Sequence, residues 1–283
     1  MGEEMTASVF AGLSLDKPRI MGIVNVTPDS FSDGGEALRI EDALKRGRAM
    51  LGAGAEILDI GGESTRPGAD PVSVEEELAR VLPVIEALAG EGALVSIDTR
   101  RAAVMHKAVE AGAKIVNDVT ALTGDDDSLS VVAAAGVDVV LMHMQGKPQT
   151  MQLNPTYKDA PRDICAYLAA RISACAEAGI AVQRIAIDPG IGFGKTLEHN
   201  LQIISRMDEF HNLGCAVVLG ASRKSFIGKI SGVEDVRQRV SGSIAAALAA
   251  RAHGVQIYRV HDVAETRQAL DVWEALAPAR TID

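Results

Sequence analysis

Polar residues that could act on a ligand recur at one place in a repeating pattern. Asn25, Asp98, Asn117, Asp188, Lys224, Arg259 and His261 each lie at, or just beyond, the end of a short apolar run. Asp98, Asp188 and Asn117 supply two carboxylates and a side-chain amide. A carboxylate accepts two parallel N–H bonds and an amide matches a mixed donor–acceptor edge. Together they suit a flat heterocycle with an amino–amide edge, guanine-like or pterin-like. Lys224 could donate to the carbonyl or to a nitrogen of such a ring. Asn25, Arg66, Arg259 and His261 form a second group, cationic or amide-bearing, that suits a phosphate or pyrophosphate. Asp262 with Glu265 reads as a capping box opening the last helix, whose N-terminal amides favour an anion nearby.

Structural roles compete with these. Asp98 could cap the helix that follows it, and Asn117 could merely shape a turn. Asp188 precedes Pro189-Gly190 rather than a helix, so capping explains it less well. A purely structural explanation must hold for all of them at once, which weakens it. Two motifs are discounted. Gly192-Phe-Gly-Lys-Thr196 looks like the end of a phosphate-binding P-loop, but the first glycine of that motif would fall on Pro189. Gly190-Ile-Gly-Phe-Gly194 has a glycine spacing one residue too short for the dinucleotide fingerprint.

The elements that must position these residues alternate regularly. Ile20 to Val26 is an apolar run that predicts a strand buried on both faces, and it opens into a loop of turn formers, Thr27 to Gly35, interrupted by Phe31. Further strands are predicted over Glu56–Ile60, Ala93–Ile97, Lys114–Val116, Asp138–Met142, Arg184–Ile187, Ala216–Leu219 and Gln256–Tyr258. Helices are predicted between them, from Glu41 to Gly52, from a Ser73/Glu76 capping box to Gly90, and over Ala102–Ala111, Pro161–Ala178 and Ser241–His253. Ser8 to Asp16 reads as a short hairpin or lid at the closed end. Strand–helix alternation gives right-handed crossovers and a parallel sheet. Eight such units in roughly 250 residues predict one α/β domain over residues 1–283, a (β/α)8 TIM barrel whose chemistry sits at the carboxyl ends of its strands.

Composition agrees. The chain has 283 residues, 47% hydrophobic and 23% charged, which suits a large soluble domain. A net charge of −10 argues against non-specific nucleic-acid binding, which needs a basic face, while leaving room for local anion pockets. Cys165, Cys175 and Cys215 have no metal-ligand spacing and read as thiols in a reducing compartment. With no basic region leading an apolar run and no stretch of membrane-spanning length, a cytoplasmic location and no membrane partner are expected.

The segments NVTPDSFSDGG (Asn25 to Gly35), GGESTRPGA (Gly61 to Ala69), IDTR (Ile97 to Arg100), IVND (Ile115 to Asp118), LMHMQGKPQTMQ (Leu141 to Gln152), DPGIGFGK (Asp188 to Lys195), SRKSFIG (Ser222 to Gly228) and RVHDV (Arg259 to Val263) resemble the dihydropteroate synthase family, in that family's order and over nearly the whole chain. The resemblance implies condensation of hydroxymethyl-dihydropterin pyrophosphate with p-aminobenzoate in folate synthesis. It implies that Asp98, Asn117, Asp188 and Lys224 hold the pterin and that Arg259 and His261 hold the pyrophosphate. Asn25 would bind Mg²⁺, the implied cofactor. Phe31, Thr65, Arg66 and Pro67 would belong to the two loops forming the p-aminobenzoate site, with Ser222 beside it, and Met142 and Phe193 would line the walls. A homodimer and sulfonamide binding are also implied. One departure from the family is Arg100-Arg101, where a smaller residue and Lys are common, and it lies past the pterin contact. The rivals are a pterin-binding methyltransferase module, which has no use for Arg259, His261 or Thr65-Arg66-Pro67, and a catalytically silent pterin-binding protein.

Overall fold

Side chains alternate across a strand, and in this chain the alternation separates two cores from one polar cavity. The computed structural model describes residues 8–27, 36–64, 72–146 and 150–276. A small antiparallel hairpin, β1 (Val9–Phe10) with β2 (Leu13–Ser14), comes first. Eight parallel strands then close into a barrel: β3 (Arg19–Asn25), β4 (Ile57–Gly61), β5 (Val95–Asp98), β6 (Ile115–Asp118), β7 (Asp138–Met142), β8 (Ile185–Asp188), β9 (Ala216–Leu219) and β10 (Ile257–Val260). β10 pairs with both β9 and β3, which closes the ring. Outside lie α1 (Glu36–Gly52), α2 (Val74–Gly90), α3 (Ala102–Glu110), α4 (Ser128–Ala135), α5 (Ala160–Glu177), α6 (Leu197–Ile204), α7 (Ser225–Ser231), α8 (Val240–Ala252) and α9 (Val263–Leu276). This is the expected (β/α)8 barrel with an N-terminal hairpin.

Outward-facing strand residues such as Ile20, Val24, Leu58, Ile60, Ile97 and Tyr258 pack against the helices in the larger core. Inward-facing Met21, Ile57, Ile115, Val140, Ala186, Ala216, Val218 and Ile257 fill the lower barrel, and Phe10 and Leu15 of the hairpin region plug it from below. With apolar side chains closing one end, the polar inward positions are left at the other. Among these are Asp59 on β4, Asp98 on β5 and Asn117 on β6, and the register sets the inward Gly61 beside Asp98 and Asp98 beside Asn117.

Helix starts follow local chemistry. Ser73 Oγ accepts from Glu76 N at 3.1 Å, the N-cap half of the expected capping box, while the Glu76 carboxylate accepts from Arg80, and Asp159 caps α5 with Pro161 in its first turn. α1 begins at Glu36 rather than Glu41, and Ile40 continues the apolar phase of Ala43 and Leu44. Asp262 precedes α9 and ties back to the loop after β9. Both its oxygens accept from the Arg223 guanidinium, with Nε at 2.9 Å from Oδ2.

Candidate active site

The mouth at the carboxyl ends of the strands holds a charged cluster centred on Arg259. Its Nη2 donates to Asp98 Oδ2 at 2.5 Å and its Nε to Asp59 Oδ2 at 2.6 Å. The same Asp59 oxygen accepts from Asn117 Nδ2 at 2.9 Å. Asp59 has no exposed surface at all. A buried carboxylate is tolerable only when paired and hydrogen-bonded, and here one guanidinium serves two of them. Burial pushes Asp98 up to about 7, with Arg259 pulling it down and Asp59 pushing it further up.

Asp188 and Lys224 stand on the opposite side of this cluster. A β-carbon at Gly220, just past β9, would lie 3.1 Å from Asp188 Oδ2, 3.9 Å from Lys224 Nζ and 4.0 Å from Arg259 Cδ. A β-carbon at Gly61 would likewise lie 3.5 Å from Asp98 Cβ and 3.7 Å from Asn25 Oδ1. Glycines at these two strand ends therefore keep open the space into which the polar side chains reach. Burial raises the Asp188 carboxyl, opposed first by Lys224, and lowers the Lys224 ammonium to about 8, opposed by Asp188.

The loop after β8 forms one wall. Asp188 Oδ1 accepts from Gly190 N at 2.7 Å, and a β-carbon at Gly190 would come within 2.0 Å of His143 O, so only glycine fits at this φ of +72°. Lys195, buried beneath the loop, donates to Phe193 O at 2.9 Å and sits 3.0 Å from His143 Nδ1. Burial and that lysine hold His143 down to about 3, so its ring is neutral and can accept. Lys195 thus anchors the loop from below, which is why the P-loop resemblance carried no phosphate site. The anchored loop presents Phe193, whose ring lies 4.4 Å from Lys224 Nζ, and Lys224 also donates to Ile191 O. Met142, buried, is register partner to Asp188 on the adjacent strand.

At the rim, Ser222 Oγ lies 3.0 Å from His261 Nδ1 and accepts from His261 N at 3.2 Å. Between Ser222 and Lys224, Arg223 adopts φ +59°, an unfavourable conformation for a side-chain-bearing residue. It is held by Asp262, by Ser243 Oγ, which accepts from Arg223 N at 2.8 Å, and by Arg239, which donates to Arg223 O at 3.2 Å. The loops after β9 and β10 are thereby locked together.

Of the expected site residues, Asn25, Asp98, Asn117, Met142, Asp188, Phe193, Ser222, Lys224, Arg259 and His261 are gathered around this mouth. Phe31, Thr65, Arg66 and Pro67 lie outside the described residues. The feet of the 65–71 segment are described. Glu63 accepts from Arg100 Nε at 3.0 Å, from Arg101 Nη2 at 2.8 Å and from Val72 N at 3.4 Å, and Arg80 donates to Gly62 O at 2.7 Å. Glu77, wholly buried, faces Arg101 Nη1 at 3.2 Å. The Arg100-Arg101 pair therefore fixes Glu63, just before this segment.

A family model described as pterin binding enzyme matches residues 21–261. A dihydropteroate synthase of Neisseria meningitidis is 52% identical over 270 residues, covering 93% of this chain and 94% of the relative. The chain belongs to the dihydropteroate synthase family. Among solved dihydropteroate synthases, that of Xanthomonas albilineans with 4-aminobenzoic acid superposes with a TM-score of 0.89 at 48% identity, covering 96% of this chain and 97% of that one. That of Yersinia pestis in a sulfonamide drug complex gives 0.89 at 47% identity, covering 94% and 96%.

The dihydropteroate synthase resemblance gave no role to Asp59, a fully buried carboxylate of this cluster. It lies inside the strand expected over Glu56–Ile60 and joins Arg259 to Asn117. The signal that could have found it is the period of two from Asn25's partner Gly61, which turns Asp59 into the barrel. The Mg²⁺ expected of this family has a donor here in Asn25, a single neutral oxygen. Among the described residues no group of three or more His, Cys, Asp or Glu could hold a metal. One amide oxygen fits an ion that reaches the site on the pyrophosphate, since Mg²⁺ keeps several waters and takes few protein ligands beside substrate phosphates.

Proposed function

We propose that this dihydropteroate synthase family member condenses hydroxymethyl-dihydropterin pyrophosphate with p-aminobenzoate, giving dihydropteroate and pyrophosphate in folate synthesis. The observation that carries the reading is the convergence of Asp98, Asn117, Asp188 and Lys224 with Arg259 on one barrel mouth, where a ring and its pyrophosphate tail can be held together.

The pterin's amino–amide edge is read by Asp98, Asp188 and Asn117, with Lys224 donating to its carbonyl or a ring nitrogen. Met142 and Phe193 wall the ring. Arg259 and His261 hold the pyrophosphate; Asn25 would hold Mg²⁺, which when bound would supply charge neutralisation at the phosphate oxygens. Phe31, Thr65, Arg66 and Pro67 shape the p-aminobenzoate site beside Ser222. In the reaction the bond from the pterin methylene to the pyrophosphate oxygen breaks and a bond to the arylamine nitrogen forms, with the amine proton released to solvent. Dihydropterin spreads the developing positive charge over its ring, and the buried carboxylates stabilise it there. The arylamine attacks as a neutral nucleophile and needs no strong general base.

A cytoplasmic location is in keeping with three free cysteines, and no described helix is long and apolar enough to cross a membrane. A homodimer is supported by α8. Its Ser243, Ala246, Ala247 and Ala250 are buried against the barrel, whereas Ser241, Ala245, Ala249 and Ala252 form an exposed stripe of small residues that admits a second helix closely.

The test mixes both substrates with Mg²⁺ and follows pyrophosphate release and dihydropteroate formation. Release that depends on p-aminobenzoate and is competitively suppressed by a sulfonamide is the expected result. No release, or release indifferent to the arylamine, would overturn the reading.

A further inference from the structure

The ring-reading residues stand on different strands, and something must set their relative directions before a ligand arrives. Asn117 and Arg259 lie on β6 and β10, separated around the barrel by β3, β4 and β5. Asp59, from β4 between them, reaches both. Its Oδ2 accepts from Asn117 Nδ2 at 2.9 Å and from Arg259 Nε at 2.6 Å, while its Oδ1 is buried with no hydrogen-bond partner. Among the described residues of the site no other group has this placement, below the mouth and out of reach of solvent, with a carboxylate oxygen divided between two site residues.

We propose that Asp59 is the positioning residue of the pterin pocket, fixing at once the amide of Asn117 and the guanidinium of Arg259. The consequence for Asn117 follows from its two ends. With Nδ2 committed to Asp59, Oδ1 is the end left to the ligand, so Asn117 presents an acceptor to a ring or exocyclic N–H. Without Asp59 the amide could turn over and present a donor, a mismatch that costs the ring one hydrogen bond and leaves a buried polar atom unpaired. The consequence for Arg259 is directional. Nε on Asp59 leaves Nη2 aimed at Asp98, so the guanidinium donates to the carboxylate that reads the ring's amino edge. A guanidinium and an amino–amide edge offer the same paired N–H donors, so pterin binding exchanges one for the other at Asp98 and turns Nη2 toward the pyrophosphate. Asp59 keeps Nε in place during that exchange and limits the movement to the outer nitrogens.

This inference rests on the pterin-reading role proposed above, and the test separates the two. Calorimetry measures the affinity of 6-hydroxymethylpterin, a ring without pyrophosphate, for the full chain and for Asp59→Asn, Asn117→Ala, the double variant and Asp188→Asn. Asp59→Asn is expected to weaken ring binding at least tenfold. Adding Asn117→Ala to it should cost less than a further threefold, because the second change removes an amide already misdirected. KM for p-aminobenzoate should stay within twofold of the parent, which a general loosening of the barrel would not allow. Parent-like ring affinity in Asp59→Asn, or losses that multiply in the double variant, would overturn the proposal. Should Asp188→Asn also bind the ring like the parent, the ring-reading site itself falls, and the role of Asp59 with it. If Asp59→Asn does not fold by circular dichroism, Asp59→Ser enters the same cycle, its hydroxyl keeping an acceptor in the barrel while reaching only one of the two donors.

Discussion

Arg259 Nη2 lies 2.5 Å from Asp98 Oδ2, so the residue proposed to hold the leaving anion is tied directly to one proposed to read the ring. The two substrate-handling groups are therefore a single electrostatic unit. What changes the charge on one side of the mouth is felt on the other.

The first prediction concerns pH. Asp98, raised to about 7, is a carboxylate above that pH and a neutral acid below it, so its charge and its capacity to accept two parallel N–H bonds are lost as pH falls through about 7. Lys224, lowered to about 8, is an ammonium below that pH and loses its charge as pH rises through about 8. The free-enzyme profile of kcat/KM for the pterin substrate should be a narrow bell with limbs near those values. Lys224→Arg should remove the basic limb, whatever its absolute rate, because a guanidinium does not titrate there. A profile flat from pH 6 to 9 would contradict this.

The second concerns the loop between Ser64 and Val72. Arg100 is partly exposed, and its bond to Glu63 holds one foot of that loop without touching the ring pocket. Arg100→Met should raise KM for p-aminobenzoate several-fold and leave pterin affinity unchanged. Its cost in stability should stay within about 1 kcal/mol, as for other partly exposed ion pairs. An equal effect on both substrates in steady-state kinetics would count against this division of labour.

The third concerns the opposite end of the barrel. Phe10 is 1% exposed and closes the floor beneath Met21, Ile57 and Ile257. Phe10→Ala should destabilise the fold by about 3 kcal/mol, the usual cost of emptying a buried aromatic site. Because the mouth is remote from that floor, kcat should hold below the new melting temperature. A thermal melt and a rate measured on one preparation decide it.

The fourth concerns assembly. Ala245→Glu and Ala249→Arg place charges on the exposed stripe of α8 without touching its buried face. Sedimentation should show a dimer for the parent and a monomer for either variant, with the melting temperature of the isolated barrel little changed. A monomeric parent would remove the dimer from the account.

Much of this was legible in the sequence for a simple reason. In a parallel barrel the strands are continuous apolar runs, and the residue that ends each run is where chemistry must sit, so Asn25, Asp98, Asn117, Asp188 and Arg259 could be found by position. Asp59 was hidden by the same logic. It lies in mid-strand, flanked by Leu58 and Ile60, and the run reads as apolar unless its inward phase is followed from Gly61. Arg100 and Arg101 read as a family departure without consequence, since their partner Glu63 lies 37 and 38 residues away. Lys195 drew attention through a false motif, and its burial against His143 is a tertiary fact that no local spacing records. The early start of α1 and the short α7 were missed because helical phase alone places a boundary poorly.

The most direct test of the central claim is a crystal structure of the protein with hydroxymethyl-dihydropterin pyrophosphate and Mg²⁺. The account predicts the ring among Asp98, Asn117, Asp188 and Lys224, the pyrophosphate at Arg259 and His261 in the same mouth, and Nη2 of Arg259 turned from Asp98. A ring bound away from Asp98 and Asp188, or a pyrophosphate out of reach of Arg259 and His261, would contradict it.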